Sequence, residues 1–432
     1  MTGTQRPNYR SALVVVTTIF FMWGFITCLN DILIPHLKAV FSLNYTQTML
    51  IQFTFFGAYF IMSLPMGKLL AKVGYKNAIS LGLLIAAVGA VMFYPAAKAP
   101  SYPLFLSALF VLASGVTMLQ VAANPYVSLL GAEDSASSRL NLAQAFNSLG
   151  TTVAPYFGGM LILGATVLGA SELAELSQGD RLAYRIEQAQ SVQMPYLLLA
   201  GVLAILAIVI YLCNLPNFKD QAGDDTPAET VSAMEALRHP HVLFGVIGIF
   251  CYVGAEVSIG SFMINYLSLP EIGGMSESTA ASYVAYYWGG AMIGRFIGSA
   301  LMQKIRPSLL LGLFAIVAAL LVLTTMLTSG HLAMWSIVAI GLFNSIMFPT
   351  IFTLGIAKLG PLTSKASSLL IMAIVGGAIL PVAQGAIADT VGIHHAFVLP
   401  LLCYLFIAFY GFRGSRVINP HPASEEGAQA HA

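Results

Sequence analysis

Two of the 18 acidic residues, Asp31 and Glu256, lie well inside long apolar runs. A carboxylate at membrane depth costs several kcal/mol unless it is protonated, paired or facing water. Within the first seven apolar runs the one Lys or Arg is Lys68, near the end of the second, so a structural ion pair is the weaker explanation for Asp31. Burial favours the protonated form of a carboxyl group, and such a group can take up a proton in one surrounding and release it in another. Polar side chains accompany both acids. Trp23, Thr27 and Asn30 are spaced i, i+4, i+7 and share one helical face, bordered by Asp31. Thr117, Gln120 and Asn124 make a second stripe. Asn141, Gln144, Asn147 and Thr151 make a third, with Ser148 beside it. Tyr252 and Glu256 stand one turn apart, with Ser258 nearby.

Amides donate and accept hydrogen bonds, which suits the hydroxyl groups of a sugar, and indole or phenol rings suit the apolar faces of a pyranose. The competing use of a single amide is an inter-helix hydrogen bond worth about 0.6 kcal/mol in a membrane. Three stripes on three different runs favour a common site. Arg295 is the one Lys or Arg well inside an apolar run, and Gly290, Gly294 and Gly298 flank it. That pattern predicts close helix packing around a gating or inter-helix contact near the cytoplasmic end. Tyr286, Tyr287 and Trp288 read as packing, Trp335 as an interfacial ring, and Asp389 as a solvated cap.

The elements that carry these residues follow from composition. Apolar residues make up 58 % of the chain and charged residues 9 %, against roughly 25 % charged in soluble domains. The chain reads as an all-α membrane protein. Runs of about 20 apolar residues fall at 11–37, 49–71, 77–96, 102–130, 140–168, 195–215, 241–267, 279–303, 308–329, 331–357, 364–389 and 394–413, here numbered segments 1 to 12. Polar residues dominate 169–194 and 216–240. The expected organisation is a cytoplasmic tail (1–10), a six-helix bundle (11–215), a cytoplasmic linker (216–240), a second six-helix bundle (241–413) and a cytoplasmic tail (414–432). With the N-terminus inside, 14 Lys and Arg residues lie on the cytoplasmic side and 4 outside, as the positive-inside rule requires.

The two halves repeat each other. Pro125 precedes Gly131 by six residues in segment 4, as Pro349 precedes Gly355 in segment 10. Gly150, Pro155 and Gly159 in segment 5 match Gly376, Pro381 and Gly385 in segment 11. Parallel repeats about an axis along the membrane normal are the architecture of the major facilitator superfamily, in which the site lies between two bundles. Other function classes find no support. The net charge of +1 implies no nucleic-acid partner. The four cysteines lack metal-ligand spacing, and no catalytic motif is present. No enzyme activity, metal or cofactor is expected; the expected partners are the lipid bilayer and a small-molecule substrate, and the chain is expected to be monomeric.

Four strings resemble the fucose–galactose–glucose symporter family: Leu29-Asn-Asp-Ile-Leu-Ile-Pro-His-Leu37, Ala122-Ala-Asn-Pro125, Arg139-Leu-Asn-Leu-Ala-Gln-Ala-Phe-Asn-Ser148 and Phe348-Pro-Thr-Ile-Phe-Thr-Leu-Gly355. Phe250-Cys-Tyr-Val-Gly-Ala255 extends the likeness. The resemblance implies proton-coupled sugar uptake across a bacterial inner membrane, with Asp31, Gln144 and Asn147 matching residues implicated in sugar binding and coupling. Fucose permeases carry Glu two residues before Ala-Ala-Asn-Pro and Gln after Tyr-Val-Gly-Ala; here those positions are Gln120 and Glu256. The acid and the amide have changed places, a form closer to the glucose/galactose branch. The expectation is import of a neutral hexose, glucose or galactose, through Trp23, Thr27, Asn30, Asp31, Gln120, Asn124, Gln144, Asn147 and Tyr252, with Asp31 or Glu256 carrying the proton. The coupling ion is H+, with Na+ the alternative. L-fucose or N-acetylhexosamine symport, uncoupled facilitation and multidrug export are the other readings.

Overall fold

The computed structural model describes residues 10–41, 45–98, 101–161, 177–213, 215–216 and 233–418. Among them, all regular structure is helical. Segment 1 lies on Arg10–Phe41. Segments 2 and 3 share Tyr45–Lys98, which breaks at Gly74, where φ of 77° takes the backbone into a region that glycine enters freely. Segment 4 is Tyr102–Leu129, and the described part of segment 5 is Ala136–Leu161. Gln193–Leu212, Pro240–Leu267, Glu277–Leu301 and Pro307–Leu327 are segments 6 to 9. Proline opens three of the helices, at Pro103, Pro240 and Pro307, where its fixed φ is preset for a helix and its missing N–H costs nothing.

The last three segments are interrupted in ways the apolar pattern does not predict. Segment 10 divides into Gly330–Asn344 and Met347–Gly355. Segment 11 runs Thr363–Met372, passes through a tighter turn at Ala373–Val375 and continues as Gly376–Val391. Segment 12 combines Ile393–Ala396 and Val398–Phe409 and ends in a wide turn, Tyr410–Gly414. A further helix, Gln178–Ser191, occupies the stretch expected to be a polar connection. Ser177 caps it by accepting the Asp180 N–H at 3.2 Å, and its polar character hides it from a search for apolar runs.

Eight helical stretches among the described residues are long and apolar enough to cross a membrane. One of them, Leu50–Lys98, has 49 residues and spans about 74 Å at 1.5 Å per residue, enough for two passes. The outer surface is apolar: Met194, Leu198, Ile205, Leu212, Leu320, Leu327 and Val382 are all exposed, while Asn124, Asn141, Asn344 and Gln384 are fully buried. Such a distribution fits hydrocarbon surroundings rather than water. The chain is a multi-pass membrane protein.

Paired glycines carry the internal repeat into packing. A Cβ at Gly150 would overlap the Phe21 carbonyl, and one at Gly376 would overlap the Phe250 carbonyl. Segment 5 therefore seats on segment 1 as segment 11 seats on segment 7. The first of these crossings brings the polar stripe of segment 5 against Trp23.

Candidate functional site

Polar side chains from segments 1, 2, 4 and 5 meet in one buried cluster. Gln144 Nε2 donates to Asn124 Oδ1 at 3.3 Å. Gln120 Nε2 donates to the Tyr59 hydroxyl at 2.8 Å. Asn147 Nδ2 reaches across the helix crossing to the Phe20 carbonyl at 2.9 Å, one turn before Trp23, which is buried with its ring 5.1 Å from that of Phe20. Thr27 turns its hydroxyl back to the Trp23 carbonyl at 2.9 Å. Gln120 Oε1 and Asn124 Nδ2 are buried with no hydrogen-bond partner. Leaving such a group unpaired costs about 1–3 kcal/mol, so one acceptor and one donor in the cluster lack a protein partner. Asn30 and Asp31 lie on the segment 1 helix, and their side chains fall outside the described residues.

The predicted stripes divide on inspection. Asn141 is fully buried but points away from the cluster, donating to the Ser137 carbonyl at 2.8 Å and to Thr350 Oγ1 at 3.3 Å. The Thr117 and Thr151 hydroxyls bond back to their own helices.

A second cluster forms in the other half. The Tyr252 hydroxyl donates to Glu256 Oε1 at 2.6 Å, and Glu256 itself is half-buried. Asn344 Nδ2 donates to the Tyr287 hydroxyl at 2.6 Å. Tyr287 and Tyr404 lie close enough to Glu256 to interact with it electrostatically. Asn344 Oδ1 and the Tyr404 hydroxyl are buried, with the Asn344 side chain beside the Tyr404 hydroxyl. Tyr59, Tyr287, Asn344 and Tyr404 are absent from the expected site set. An amide at position 344 inside an apolar run is a readable signal; the three phenols, in aromatic-rich runs, are not.

Arg295 joins the clusters. Its Nε donates to the Ser345 carbonyl at 3.1 Å, and Nη1 donates to the Gln144 carbonyl at 3.2 Å and to Ser148 Oγ. The guanidinium also acts electrostatically on Glu256. A cation on segment 8 is thus fastened to segment 5, the helix that presents Gln144 and Asn147. The glycine stripe permits this approach: Gly290 and Gly294 lie against the Leu342 backbone and Gly298 against Ile346, with little or no room for a Cβ. Arg295 is half-buried, and it is not the only cation inside. Lys365, expected at the cytoplasmic surface, is also buried.

A cavity of about 1090 Å³ opens elsewhere, at the end of the molecule that bears Lys304, Arg306 and Lys358, between the turns at Ser128–Ser137, Met302–Pro307 and Thr353–Thr363. It does not include the amide and carboxylate clusters. Among the described residues, no group of three or more His, Cys, Asp or Glu side chains could hold a metal ion.

Residues 13–374 match the model of the Major Facilitator Superfamily. The chain is 56 % identical over 413 residues to the glucose/galactose transporter of Brucella abortus, covering 96 % of each chain. It is similar to the crystal structure of the E. coli fucose:proton symporter, FucP, with 35 % identity and a TM-score of 0.88, covering 95 % of this chain and 100 % of that one. A second crystal structure, of FucP in the outward conformation, matches with 36 % identity and a TM-score of 0.89 over the same shares.

Proposed function

Because the chain belongs to the Major Facilitator Superfamily, and within it to the group holding the glucose/galactose transporters and the fucose:proton symporter, we propose that it imports a neutral hexose, glucose or galactose, by proton symport. In this reading the twelve segments form two six-helix bundles, 11–215 and 241–413, joined by the linker 216–240. The termini and the basic end face the cytoplasm of a bacterial cell, and the protein resides in the inner membrane. One chain supplies both walls of the site, and the coupling ion is the proton, with no cofactor.

The observation that carries the reading is the placement of Arg295, bonded to the Gln144 carbonyl and Ser148 and electrostatically coupled to Glu256. Sugar hydroxyls engage the amides of Gln120, Asn124, Gln144 and Asn147, with Trp23 against an apolar face of the ring. Glu256 uses one oxygen to accept from Tyr252, which leaves the other to carry the proton. A neutral Glu256 lowers the cost of closing a dry cavity around the acid. It also changes the field on Arg295 and hence the hold of segment 8 on segment 5. Asp31 is the alternative proton carrier.

Proteoliposomes given an inward proton gradient are expected to accumulate labelled glucose or galactose, and unlabelled sugar of the preferred kind competes. Accumulation driven by a sodium gradient alone, or equilibration that ignores both gradients, contradicts proton symport. Labelled fucose or N-acetylglucosamine in the same vesicles tests the choice of sugar.

A further inference from the structure

The triplet Ala-Ser-Ser occurs at the start of segment 5, Ala136-Ser137-Ser138, and again early in segment 11, Ala366-Ser367-Ser368. These segments correspond under the internal repeat, the second triplet lying four residues, about one helical turn, farther along than the first in the register set by Gly150 and Gly376. In each, the serines are buried, and Ser137, Ser138 and Ser367 hydrogen-bond to the opposite half of the chain, whereas the Ser368 hydroxyl donates to the Ser364 carbonyl of its own helix at 2.9 Å. Ser138 Oγ donates to the Ser299 carbonyl at 2.7 Å, and Ser299 Oγ donates to the Ser138 carbonyl at 2.9 Å, so the two residues exchange hydrogen bonds. Ser137 Oγ lies 2.6 Å from Thr353 Oγ1, which itself donates to the Pro349 carbonyl at 3.0 Å. In the second copy, Ser367 Oγ donates to the Val121 carbonyl at 2.9 Å. Ser368 lies against Gly67, where a Cβ would overlap its hydroxyl.

The partners follow the same symmetry. Segment 5 bonds to segments 8 and 10, and segment 11 meets segments 2 and 4, which are the repeat equivalents of 8 and 10. From this geometry we infer that the two Ala-Ser-Ser triplets, one on each of two corresponding helices, form a hydroxyl latch that holds the basic end of the carrier shut. The latch must open for substrate to leave on that side. The inference rests on the transport reading above and adds to it the residues that set the balance between the two access states.

The chemistry suits a latch opened on every cycle. Each bond joins a neutral hydroxyl to a carbonyl or a second hydroxyl, so opening it exposes no bare charge, and water replaces the lost partner. A hydrogen bond exchanged for water contributes about twofold to tenfold to an equilibrium, and three or four together bias the access states without freezing them. The reciprocal Ser138–Ser299 pair further fixes register, because a slip of either helix breaks both bonds at once.

Two experiments test the latch in full-length protein whose four native cysteines are replaced by alanine. In the first, Ser138→Cys and Ser299→Cys are combined and oxidised with copper phenanthroline. The expected result is a disulfide that stops sugar transport, leaves sugar binding intact by intrinsic tryptophan fluorescence, and is reversed by dithiothreitol. Failure to cross-link, or transport at the reduced-state rate by the cross-linked protein, overturns the latch. Loss of sugar binding in both redox states instead contradicts the sugar reading. In the second, Thr350→Cys, fully buried in the native chain, reports opening through its rate of maleimide labelling. Adding Ser137→Ala, Ser138→Ala and Ser367→Ala is expected to raise that rate by about tenfold or more, and an unchanged rate contradicts the latch.

Discussion

Gln144 holds three relationships at once. Its amide donates to Asn124, its carbonyl accepts from Arg295, and its helix carries Asn147. Gln144→Leu keeps the bulk but leaves Asn124 Oδ1 without its donor, with an expected stability loss of about 1–3 kcal/mol. Sugar-dependent tryptophan fluorescence should fall with it, and thermal melting in detergent separates the two effects. Tyr252→Phe removes only the hydroxyl that serves Glu256, so it is expected to alter the pH dependence of uptake while leaving sugar exchange at saturating sugar close to normal. Identical changes in both would reduce Tyr252 to a packing role. Gln120, Asn124, Gln144 and Glu256 stand out in the chain because a polar side chain is rare inside an apolar run. Their pairing is not. That Asn141 turns toward Thr350 while Gln144 turns toward Asn124 depends on helix rotation finer than the i, i+3, i+7 pattern resolves.

At the scale of helices, the crossing of segments 1 and 5 sets the first wall of the site. Gly150→Val forces a branched side chain into the Phe21 carbonyl and is expected to cost about 1–3 kcal/mol or more. Its repeat equivalent Gly376→Val should behave alike. Gly57→Ala, where a Cβ meets nothing within 4 Å, serves as the control. Melting temperatures in detergent that fall for the first two and hold for the third are the expected outcome. The apolar runs locate the spans because the bilayer imposes length and hydrophobicity on each. Two kinds of feature escape that logic. The polar helix Gln178–Ser191 carries no apolar run. The breaks at Asn344–Met347 and Ala373–Val375 leave the apolar runs intact: the first falls one turn before Pro349, which has no N–H for the Ser345 carbonyl, and the second runs into Gly376 and Gly377.

Among the described residues, polar contacts of Arg295, Ser137, Ser138 and Ser367 join the two halves, and exposed apolar groups cover the outside. The repeat detected as glycine and proline spacing reappears as equivalent helix crossings. Arg295 stands where these themes meet: the acid of one half influences it, and the helix of the other half that carries Gln144 and Asn147 holds it. The account therefore turns on Glu256, and Glu256→Gln is its most direct test. In proteoliposomes this variant is expected to keep sugar counterflow, because the site and the moving parts remain. It should lose accumulation driven by a proton gradient, with the pH dependence of uptake abolished. Proton-driven accumulation at the parental level, with its pH dependence intact, would contradict the central role given to Glu256.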